Sequence, residues 1–323
     1  PGIVGQSGSG CRTIEHMTLT ELRYIVAVAR EKHFGRAAEA CFGSQPTLSV
    51  AVKKLEEELD VKLFERGSAE ITVTPLGDEI IRQAQSVLEQ AQAIKEIAKR
   101  GKDPLGGPLR LGVIYTIGPY LLPDLVREAI DTVPQIPLIL QENFTHKLLD
   151  MLRAGELDCA IMAEPFVDAG LAVAPLYEEP FMVAVPKTHP LAQRDKVSAE
   201  ELKQETMLLL GAGHCFRDHV LEVCPEYARF SSDAEGIRKS FEGSSLETIK
   251  YMVAAGMGVT VVPQLSVPME PNPHIVYVPF EDPVPTRRVV LAWRRSFTRY
   301  EAIAALRNAI YACPLQGVTR LTA

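Results

Sequence analysis

The sequence predicts an α/β protein with three parts: an N-terminal winged helix-turn-helix, a long linker helix and a two-lobed α/β domain. Two observations predict this fold class. Apolar residues recur at helical spacing as far as residue 98, and beyond the Gly- and Pro-rich segment "GKDPLGGP" (101–108) apolar strands alternate with amphipathic helices. Such an alternation is typical of βαβ units and a largely parallel sheet.

The composition is that of a globular protein. The 323 residues are 46% hydrophobic, and no stretch approaches the roughly 18 consecutive apolar residues of a membrane span. No signal-peptide pattern is present, so we expect a cytoplasmic protein without a membrane partner. The net charge of −7 argues against general nucleic-acid binding, and a DNA-binding hypothesis must therefore rest on a motif. Residues 1–16 lack periodicity, and we expect a tag or a disordered segment there.

Three helices are predicted where the patterned sequence begins. The first, over 18–31, has one apolar face formed by Leu19, Leu22, Ile25, Val26 and Ala29. The segment "FGRAAEACF" (34–42) predicts a second helix, which Gly43 ends. Ser44 then caps a third helix in "SQPTLSVAVKKLEEELD", with Pro46 in its first turn. Helices joined by a tight turn in this way are typical of a helix-turn-helix.

The third helix carries the candidate DNA-binding residues. Four polar side chains stand off its apolar face: Gln45, Thr47, Ser49 and Lys53. They suit base edges and phosphates in a major groove, but they also suit an ordinary solvated face, and the residues alone leave both interpretations open. The next segment, "VKLFERGSAEITVTP", predicts two short strands around a turn, a wing that carries Arg66. A wing beside the third helix favours DNA binding.

A long helix is predicted over 76–98. Its apolar residues alternate at spacings of three and four: Leu76, Ile80, Ala84, Val87, Ala91, Ile94 and Ala98. This alternation is typical of a coiled-coil seam, so we expect the helix to pair two chains. A dimer of helix-turn-helix units suits double-stranded operator DNA with two half-sites.

These patterns set the predicted boundaries. We place the winged helix-turn-helix at 17–75, the linker helix and hinge at 76–107, the two-lobed domain at 108–313 and a tail at 314–323. Lobe I is expected over about 108–177 and 281–313, and lobe II over about 178–280. A cleft between two such lobes is a favoured place for a small-molecule site.

Several motifs resemble one family. The run "MTLTELRYIVAVAREKHFGRAAEACFGSQPTLSVAVKKLEEELDVKLFER" with the later "VTPLG" resembles LysR-type transcriptional regulators. The segments "YTIGPYLLPDL", "ENFTHKLLDML" and "GHCFRD" resemble the peroxide-sensing branch of that family. The resemblance covers residues 17 to about 313. It implies that the two lobes form a regulatory domain like periplasmic binding proteins.

The resemblance also implies roles for particular residues. It points to Thr47 and Ser49 as DNA contacts, with Gln45, Pro46 and Arg66 nearby. The peroxide-reactive thiol would be Cys215 and its resolving partner Cys224. The residues that match the peroxide pocket of the family are Thr116, Thr145, His214 and Cys215. An arginine of the late "TRRVV" segment is a further candidate that the sequence does not single out.

Partners follow from the resemblance in the same way. It implies double-stranded DNA, hydrogen peroxide, RNA polymerase, and thiol reductants such as glutaredoxin or thioredoxin. It also implies a homo-oligomer, a dimer or a tetramer built as a dimer of dimers. No cofactor is expected. A metal site is not expected either, because Cys215 and Cys224 lie nine residues apart without a CxxC pair, which is a poor zinc pattern.

The local chemistry at Cys215 can be argued from the residues. A thiol at the start of a helix beside His214 and Arg217 is expected to have a lowered pKa, which favours the thiolate that attacks peroxide. An inert buried cysteine was an equally open interpretation from the residues alone, and we expect that state for Cys41, Cys159 and Cys313. If 215–224 is helical, the two cysteines lie about 13 Å apart. A disulfide needs Cα atoms within about 7 Å, so it requires the helix to unwind.

The function expected is a redox-switched DNA-binding transcription regulator, and not an enzyme. One alternative is a regulator of the same family that binds an organic inducer in its cleft while the cysteines are incidental. A thiol peroxidase would use the same cysteines, but it would leave the helix-turn-helix without a purpose. A free-standing solute-binding protein would fit the two lobes but not residues 17–100.

Overall fold

The computed structural model describes residues 17–66, 71–99, 105–229, 240–243 and 245–321. The chain divides into two compact units, and the boundary in the sequence falls between Glu96 and Ile97. Each unit is described separately below. The predicted segment 1–16 lies outside the described residues.

The first unit begins with the three predicted helices, which the structure confirms. They are α1 (Leu19–Glu31), α2 (Phe34–Ala40) and α3 (Gln45–Leu59). Thr18 and Glu21 form a capping box at the start of α1, and the Ser44 hydroxyl accepts a hydrogen bond from the Thr47 backbone at the start of α3. The apolar faces of α1 and α3 meet in one core: Leu22, Ile25, Val28, Leu48, Val52 and Leu55.

A short hairpin follows α3, as predicted for the wing. Its antiparallel strands are β1 (Phe64–Arg66) and β2 (Ile71–Val73), and the residues of its turn lie outside the described part of the chain. The buried Glu56 carboxylate on α3 accepts hydrogen bonds from the Leu63 and Phe64 backbone amides, at 2.8 and 3.2 Å. These bonds fix the hairpin to α3.

The linker helix is α4 (Pro75–Lys99), close to the predicted range. Part of its predicted seam, Ile80 and Ala84, packs into the core of the first unit. Other seam residues stay exposed: Leu76, Val87 and Ile94. The seam therefore leaves apolar surface that a second chain can cover.

The second unit starts with the predicted βαβ units. In chain order they are β3 (Leu109–Ile114), α5 (Gly118–Thr132), β4 (Leu138–Asn143), α6 (Thr145–Arg153) and β5 (Cys159–Ala163). Strand β3 lies between β4 and β5, parallel to both. These strands and α10 (Tyr300–Ala312) enclose a buried cluster, the lobe I core.

A second buried cluster, the lobe II core, is formed by the middle of the chain. The helices and strands that contribute to it are α7 (Ala199–Leu202), β7 (Met207–Leu210), α8 (Cys215–Val223), α9 (Leu246–Ala254), β9 (Thr260–Pro263) and β10 (Ile275–Pro279), and strand β8 (Ser240–Gly243) lies beside β7. Strands β7 and β8 pair in parallel, whereas β9 and β10 pair antiparallel to the strand that links the two cores.

That linking strand is β6 (Leu171–Pro186), and it differs from the prediction. The apolar segment "PFMVAVP" (180–186), bounded by two prolines, predicts a separate short strand from the sequence alone, but in the structure it is the second half of one long strand. The first half of β6 contributes Leu171, Leu176 and Tyr177 to the lobe I core, and the second half contributes Phe181 and Val183 to the lobe II core. Since β6 and β11 (Thr286–Arg294) run antiparallel, the prediction of a largely parallel sheet was wrong.

The last strand of the described residues is β12 (Thr319–Arg320), which follows α10. This strand pairs with Tyr177 and Glu178 of β6, and the Arg320 side chain donates to the Cys313 carbonyl oxygen at 2.8 Å. The last described residues of the predicted tail thus form an edge of the sheet.

Candidate functional site

The loop between β7 and α8 places Cys215 at the first position of α8. Gly213 in this loop has a φ of +101°, a backbone conformation that residues with a side chain rarely adopt. This conformation accounts for a glycine at this position. His214 is the N-cap residue. The Cys215 side chain is partly buried and packs against the lobe I core, although α8 belongs to lobe II. The thiol therefore lies where the two lobes meet.

A small pocket lies over Cys215. Its lining comes from the ends of β3 and β4 and from the loop before α8: Ile114, Tyr115, Thr116, Asn143, Phe144, Thr145, Gly213, His214 and Cys215. The cavity volume is about 10 Å³, near the least that a single water molecule needs. The structure thus brings together Thr116, Thr145, His214 and Cys215, the four residues proposed from the sequence for the peroxide pocket.

Arg287 on β11 is the arginine of the "TRRVV" segment that reaches this site. Its Nη1 donates to the Thr116 hydroxyl at 2.8 Å and its Nη2 donates to the Thr116 carbonyl oxygen at 3.0 Å. It forms an ion pair with Glu179 on β6 at 2.8 Å, with both side chains buried. The neighbouring Arg288 points the other way and pairs with Glu178 near the surface. Strand alternation could have shown that only one of these arginines faces inward.

The sequence analysis missed Glu179. Its carboxylate holds Arg287 through Oε2 and accepts the Leu265 backbone amide through Oε1, at 2.8 Å each. Thr116, Arg287 and Glu179 therefore form a buried chain of charged and polar groups beside the thiol. Such a buried pair is tolerated because each group is hydrogen-bonded to the other and to further partners.

The electrostatic environment of Cys215 differs from the sequence expectation. Burial raises the pKa of the Cys215 thiol, while a hydrogen bond from the Thr145 hydroxyl to the thiolate and the charge of Arg287 oppose that rise. The expected lowering of the Cys215 pKa was wrong because desolvation by burial is the largest effect on this thiol, while the Arg217 Nη1 is engaged with the Leu210 carbonyl oxygen at 2.8 Å. Desolvation outweighs the nearby positive charge.

The Thr145 hydroxyl is positioned for a further partner. Thr145 is the first residue of α6, and its buried hydroxyl makes no hydrogen bond among the described residues apart from its interaction with the Cys215 sulfur. A buried hydroxyl is unfavourable unless such an acceptor or a bound ligand completes its hydrogen bonding. Thr145 can therefore serve the Cys215 thiolate or a bound oxygen atom.

Cys224 lies at the other end of α8, as its C-cap residue. Its side chain is buried in the lobe II core, and burial raises the pKa of the Cys224 thiol to about 12. The helix expected between the two cysteines is confirmed, and the cysteines of the described residues are free thiols. Cys159 and Cys313 are buried as expected, whereas Cys41 is only partly buried.

The second half of α8 is tied to lobe I. His219 lies one turn after Cys215, and its Nε2 donates to the Glu164 carbonyl oxygen at 2.7 Å. Burial lowers the pKa of His219, so the neutral ring with its proton on Nε2 is favoured. His219 is a contact that the sequence analysis did not single out.

The candidate DNA-binding residues lie along one end of α3. Gln45, Pro46 and Thr47 are exposed, Ser49 is half-buried, and Lys53 is exposed with a weak ion pair to Glu57 at 3.5 Å. The Thr47 hydroxyl is hydrogen-bonded to the Ser44 hydroxyl at 2.8 Å. Arg66 ends strand β1 of the wing. The exposed side chains of Gln45, Thr47 and Lys53 are therefore accessible to a ligand.

Two further findings concern only the residues that the structure describes. Among them, no cluster of three or more His, Cys, Asp or Glu side chains could hold a metal ion. Within the same ranges, no helix is long and apolar enough to cross a membrane.

Comparison with protein families gives two matches that together span most of the chain. Residues 19–78 match the family described as bacterial regulatory helix-turn-helix protein, lysR family. Residues 102–312 match the family described as LysR substrate binding domain.

Curated relatives match over nearly their whole length. The chain is 40% identical over 292 residues to the "Hydrogen peroxide-inducible genes activator" of Pectobacterium carotovorum subsp. carotovorum, covering 89% of this chain and 95% of the relative. It is also 40% identical to the "DNA-binding transcriptional dual regulator OxyR" of Escherichia coli K12, covering 89% and 94%.

Solved structures give the same result. A full-length OxyR variant from Pseudomonas aeruginosa is 49% identical, with a TM-score of 0.77 over 95% of this chain and 99% of that one. A hydrogen-peroxide-bound OxyR mutant from Corynebacterium glutamicum is 34% identical, with a TM-score of 0.60 over 91% and 92%.

Proposed function

The chain belongs to the LysR family of bacterial helix-turn-helix regulators and to its OxyR branch, and on this premise we propose that it senses hydrogen peroxide through Cys215 and Cys224. Oxidation changes the packing of the regulatory domain and thereby the contacts with operator DNA that control antioxidant genes. The protein acts as a regulator and not as an enzyme with turnover.

One observation carries this proposal: a partly buried thiol shares a pocket of about 10 Å³ with two threonine hydroxyls and His214. The hydroxyls of Thr116 and Thr145 can hold the two oxygen atoms of a peroxide by hydrogen bonds. His214 can donate a proton to the leaving oxygen. Arg287 fixes Thr116 and favours the thiolate by its charge.

The proposed oxidation takes two steps. The Cys215 thiolate attacks one peroxide oxygen, an S–O bond forms, the O–O bond breaks, and the leaving hydroxide takes a proton to become water. The product is a sulfenic acid. The Cys224 thiol then attacks that sulfur, the S–S bond forms and a second water leaves. Two thiols lose two electrons in total, and one peroxide is reduced to two waters.

The second step requires α8 to unwind. Cys215 and Cys224 stand at opposite ends of this helix, about 13 Å apart at 1.5 Å per residue, and a disulfide needs Cα atoms within about 7 Å. Cys224 must leave the lobe II core, and the bond from His219 to the Glu164 carbonyl oxygen must break. Two packings of one segment thus become alternatives that the redox state selects.

The rest of the proposed mechanism concerns partners. The exposed seam of α4 pairs two chains, and a dimer of dimers places helix-turn-helix units on two half-sites. RNA polymerase responds to the rearranged complex, and thiol reductants such as glutaredoxin or thioredoxin restore the thiols.

The alternative of an organic inducer in the cleft has less support. Tyr120 on α5 donates through its hydroxyl to Glu247 Oε1 on α9 at 2.7 Å, and Lys250 donates to the same oxygen at 2.8 Å. This bridge joins the two lobes directly. An inducer between the lobes would have to break or bypass it.

The test is stoichiometric peroxide treatment of the full-length protein and of Cys215→Ser and Cys224→Ser, followed by intact mass and peptide mapping. We expect a loss of about 2 Da, because disulfide formation removes one hydrogen from each thiol. The loss should map to a Cys215–Cys224 link and be absent from both variants. Footprinting of both redox states on promoter DNA then tests the switch. Thiols that stay unmodified at micromolar peroxide would contradict the proposal.

A further inference from the structure

Three aromatic rings meet at the pocket over Cys215, and they all belong to its lining. The ring centroids of Tyr115 and Phe144 lie 5.2 Å apart, those of Phe144 and His214 lie 4.9 Å apart, and those of Tyr115 and His214 lie 5.9 Å apart. Each ring therefore contacts both others, edge to face or tilted. We call these three side chains the ring cluster.

The ring cluster joins both lobes. Tyr115 follows β3, Phe144 is the N-cap residue of α6, and His214 is the N-cap residue of α8 in lobe II. Tyr115 is 38% exposed and Phe144 is half-buried. The cluster thus has a solvent-exposed side and lines the same pocket as the buried Thr116.

Phe144 is held in place from several sides. The His146 ring stacks on its outer face, with centroids 5.8 Å apart and planes within 10°. On another side, a Cβ added to Gly213 would lie 3.4 Å from the Phe144 ring, so this glycine lets the ring approach the loop closely. Phe144 therefore has close contacts on two sides, with His146 and with the loop at Gly213.

The size of the pocket limits what can reach the sulfur. A cavity volume of about 10 Å³ is near the least that one water molecule needs. Hydrogen peroxide is larger than water by only one oxygen atom. Its two oxygens can form hydrogen bonds with the hydroxyls of Thr116 and Thr145. An alkyl hydroperoxide carries a carbon substituent on the oxygen that leaves, and this substituent would overlap the rings.

We propose that the ring cluster is a specificity determinant that admits hydrogen peroxide to Cys215 and excludes alkyl hydroperoxides. Phe144 and Tyr115 are its principal residues. This inference rests on the proposed function of Cys215. In the excluded reaction the thiolate would form an S–O bond with the terminal oxygen while the O–O bond breaks, and the alkoxide would leave and take a proton to become an alcohol.

The experiment compares rates of Cys215 oxidation in the reduced full-length protein under a metal chelator. Hydrogen peroxide, tert-butyl hydroperoxide and cumene hydroperoxide are each mixed with wild type, Phe144→Ala and Tyr115→Ala. Peptide mass measures the loss of the Cys215 thiol with time. The rate ratio of hydrogen peroxide to each alkyl hydroperoxide is divided by the same ratio for free cysteine, which removes the intrinsic reactivity of each oxidant.

After this normalisation free cysteine has a ratio of one by definition, and we expect the wild-type ratio to be larger. Phe144→Ala should lower the wild-type ratio by about 10- to 100-fold, a typical range for exclusion by a pocket. Tyr115→Ala should lower it in the same direction. Phe144→Tyr keeps a ring and should keep the ratio high. Tyr251→Ala is the matched control, because Tyr251 is 75% exposed on α9 and does not line the pocket. Circular dichroism verifies that each variant is folded.

Two results would overturn the inference while leaving the proposed function intact. In one, hydrogen peroxide oxidises wild-type Cys215 but the normalised rate ratio equals one, so Cys215 is no more selective than free cysteine. In the other, wild type is selective and both alanine variants keep the same ratio. If hydrogen peroxide oxidises Cys215 in none of the proteins, the proposed function fails and the inference fails with it.

Discussion

The guanidinium of Arg287 and the carboxylate of Glu179 form an ion pair at 2.8 Å from which solvent is excluded. The same guanidinium donates to the hydroxyl and the carbonyl oxygen of Thr116. Because Thr116 lines the pocket over Cys215, the ion pair holds one wall of the proposed sensor site.

Removing one partner of this pair should destabilise the regulatory unit strongly. Arg287→Met leaves the Glu179 carboxylate buried without its cation, and we expect a loss of about 3–5 kcal/mol in the free energy of unfolding. Urea denaturation measures it, followed by the fluorescence of Trp293, which is the single tryptophan of the chain. Arg288→Met is the matched control, since its side chain is 51% exposed and such pairs contribute about 0–1 kcal/mol. Equal losses in both variants would contradict this prediction.

The reactivity of Cys215 should rise with pH. Burial raises the pKa of the thiol, so at neutral pH the protonated form predominates, and below that pKa the thiolate fraction grows about tenfold per pH unit. Thr145→Val removes the hydrogen bond that opposes the rise, which should move the titration curve to higher pH and lower the thiolate fraction at pH 7. The ultraviolet absorbance of the thiolate, taken as the difference between each protein and the same protein with Cys215→Ser, measures that fraction between pH 6 and about pH 10 without any reagent entering the pocket.

The control for Thr145→Val is Thr132→Val, on an exposed site of α5 where the hydroxyl donates to the Glu128 carbonyl oxygen. Its titration curve should coincide with that of wild type. A Thr145→Val curve that moves to lower pH would show that Thr145 does not favour the thiolate.

The bridge between the lobes should contribute measurable stability. Tyr120→Phe removes the hydroxyl that donates to Glu247 while keeping the ring, and Lys250 still pairs with the carboxylate. We expect a loss of about 1 kcal/mol in the free energy of unfolding, measured by Trp293 fluorescence in urea. Tyr300→Phe, which removes an exposed bond to the Arg295 carbonyl oxygen, should change it by under about 0.5 kcal/mol. A Tyr120→Phe protein as stable as wild type would rule out a structural role for the bridge.

Lys53 should act on DNA through its charge. Lys53→Ala should reduce the slope of log Kd against log salt concentration by about 0.9, the effect of one phosphate contact. Fluorescence anisotropy with a labelled duplex measures that slope at several salt concentrations. Lys147→Ala is the control, because Lys147 is exposed on α6 of the second unit. An unchanged slope in Lys53→Ala would place Lys53 on a solvated face only.

The helices of the first unit could be predicted because their signals are local. The 3-4 spacing of apolar residues and the capping position of Ser44 each lie within a few residues of the helix they define. Strand β6 was predicted only in part, because Pro175, Glu179 and Pro180 interrupt its apolar pattern. Glu179 faces inward all the same, since its ion pair with Arg287 compensates its burial.

The residues of the site, in contrast to the helices, could not be predicted from local patterns in the sequence. The convergence of Thr116, Thr145 and Cys215 came from the family resemblance, since these residues are far apart in the chain and no local pattern joins them. The direction of the Cys215 pKa was predicted wrongly because sequence shows neighbouring charges but not desolvation. The ring cluster also depends on tertiary contacts, which spacing in the sequence does not reveal.

Strand β6 has a consequence for cooperativity. Its two halves complete two separate cores, so neither lobe can lose its strand without exposing the edge of the other. Cooperative opening units are roughly contiguous parts of a structure, and β6 belongs to both lobes. We therefore expect hydrogen exchange to report a single global opening for strands of both lobes, with equal protection free energies on β5 and β9.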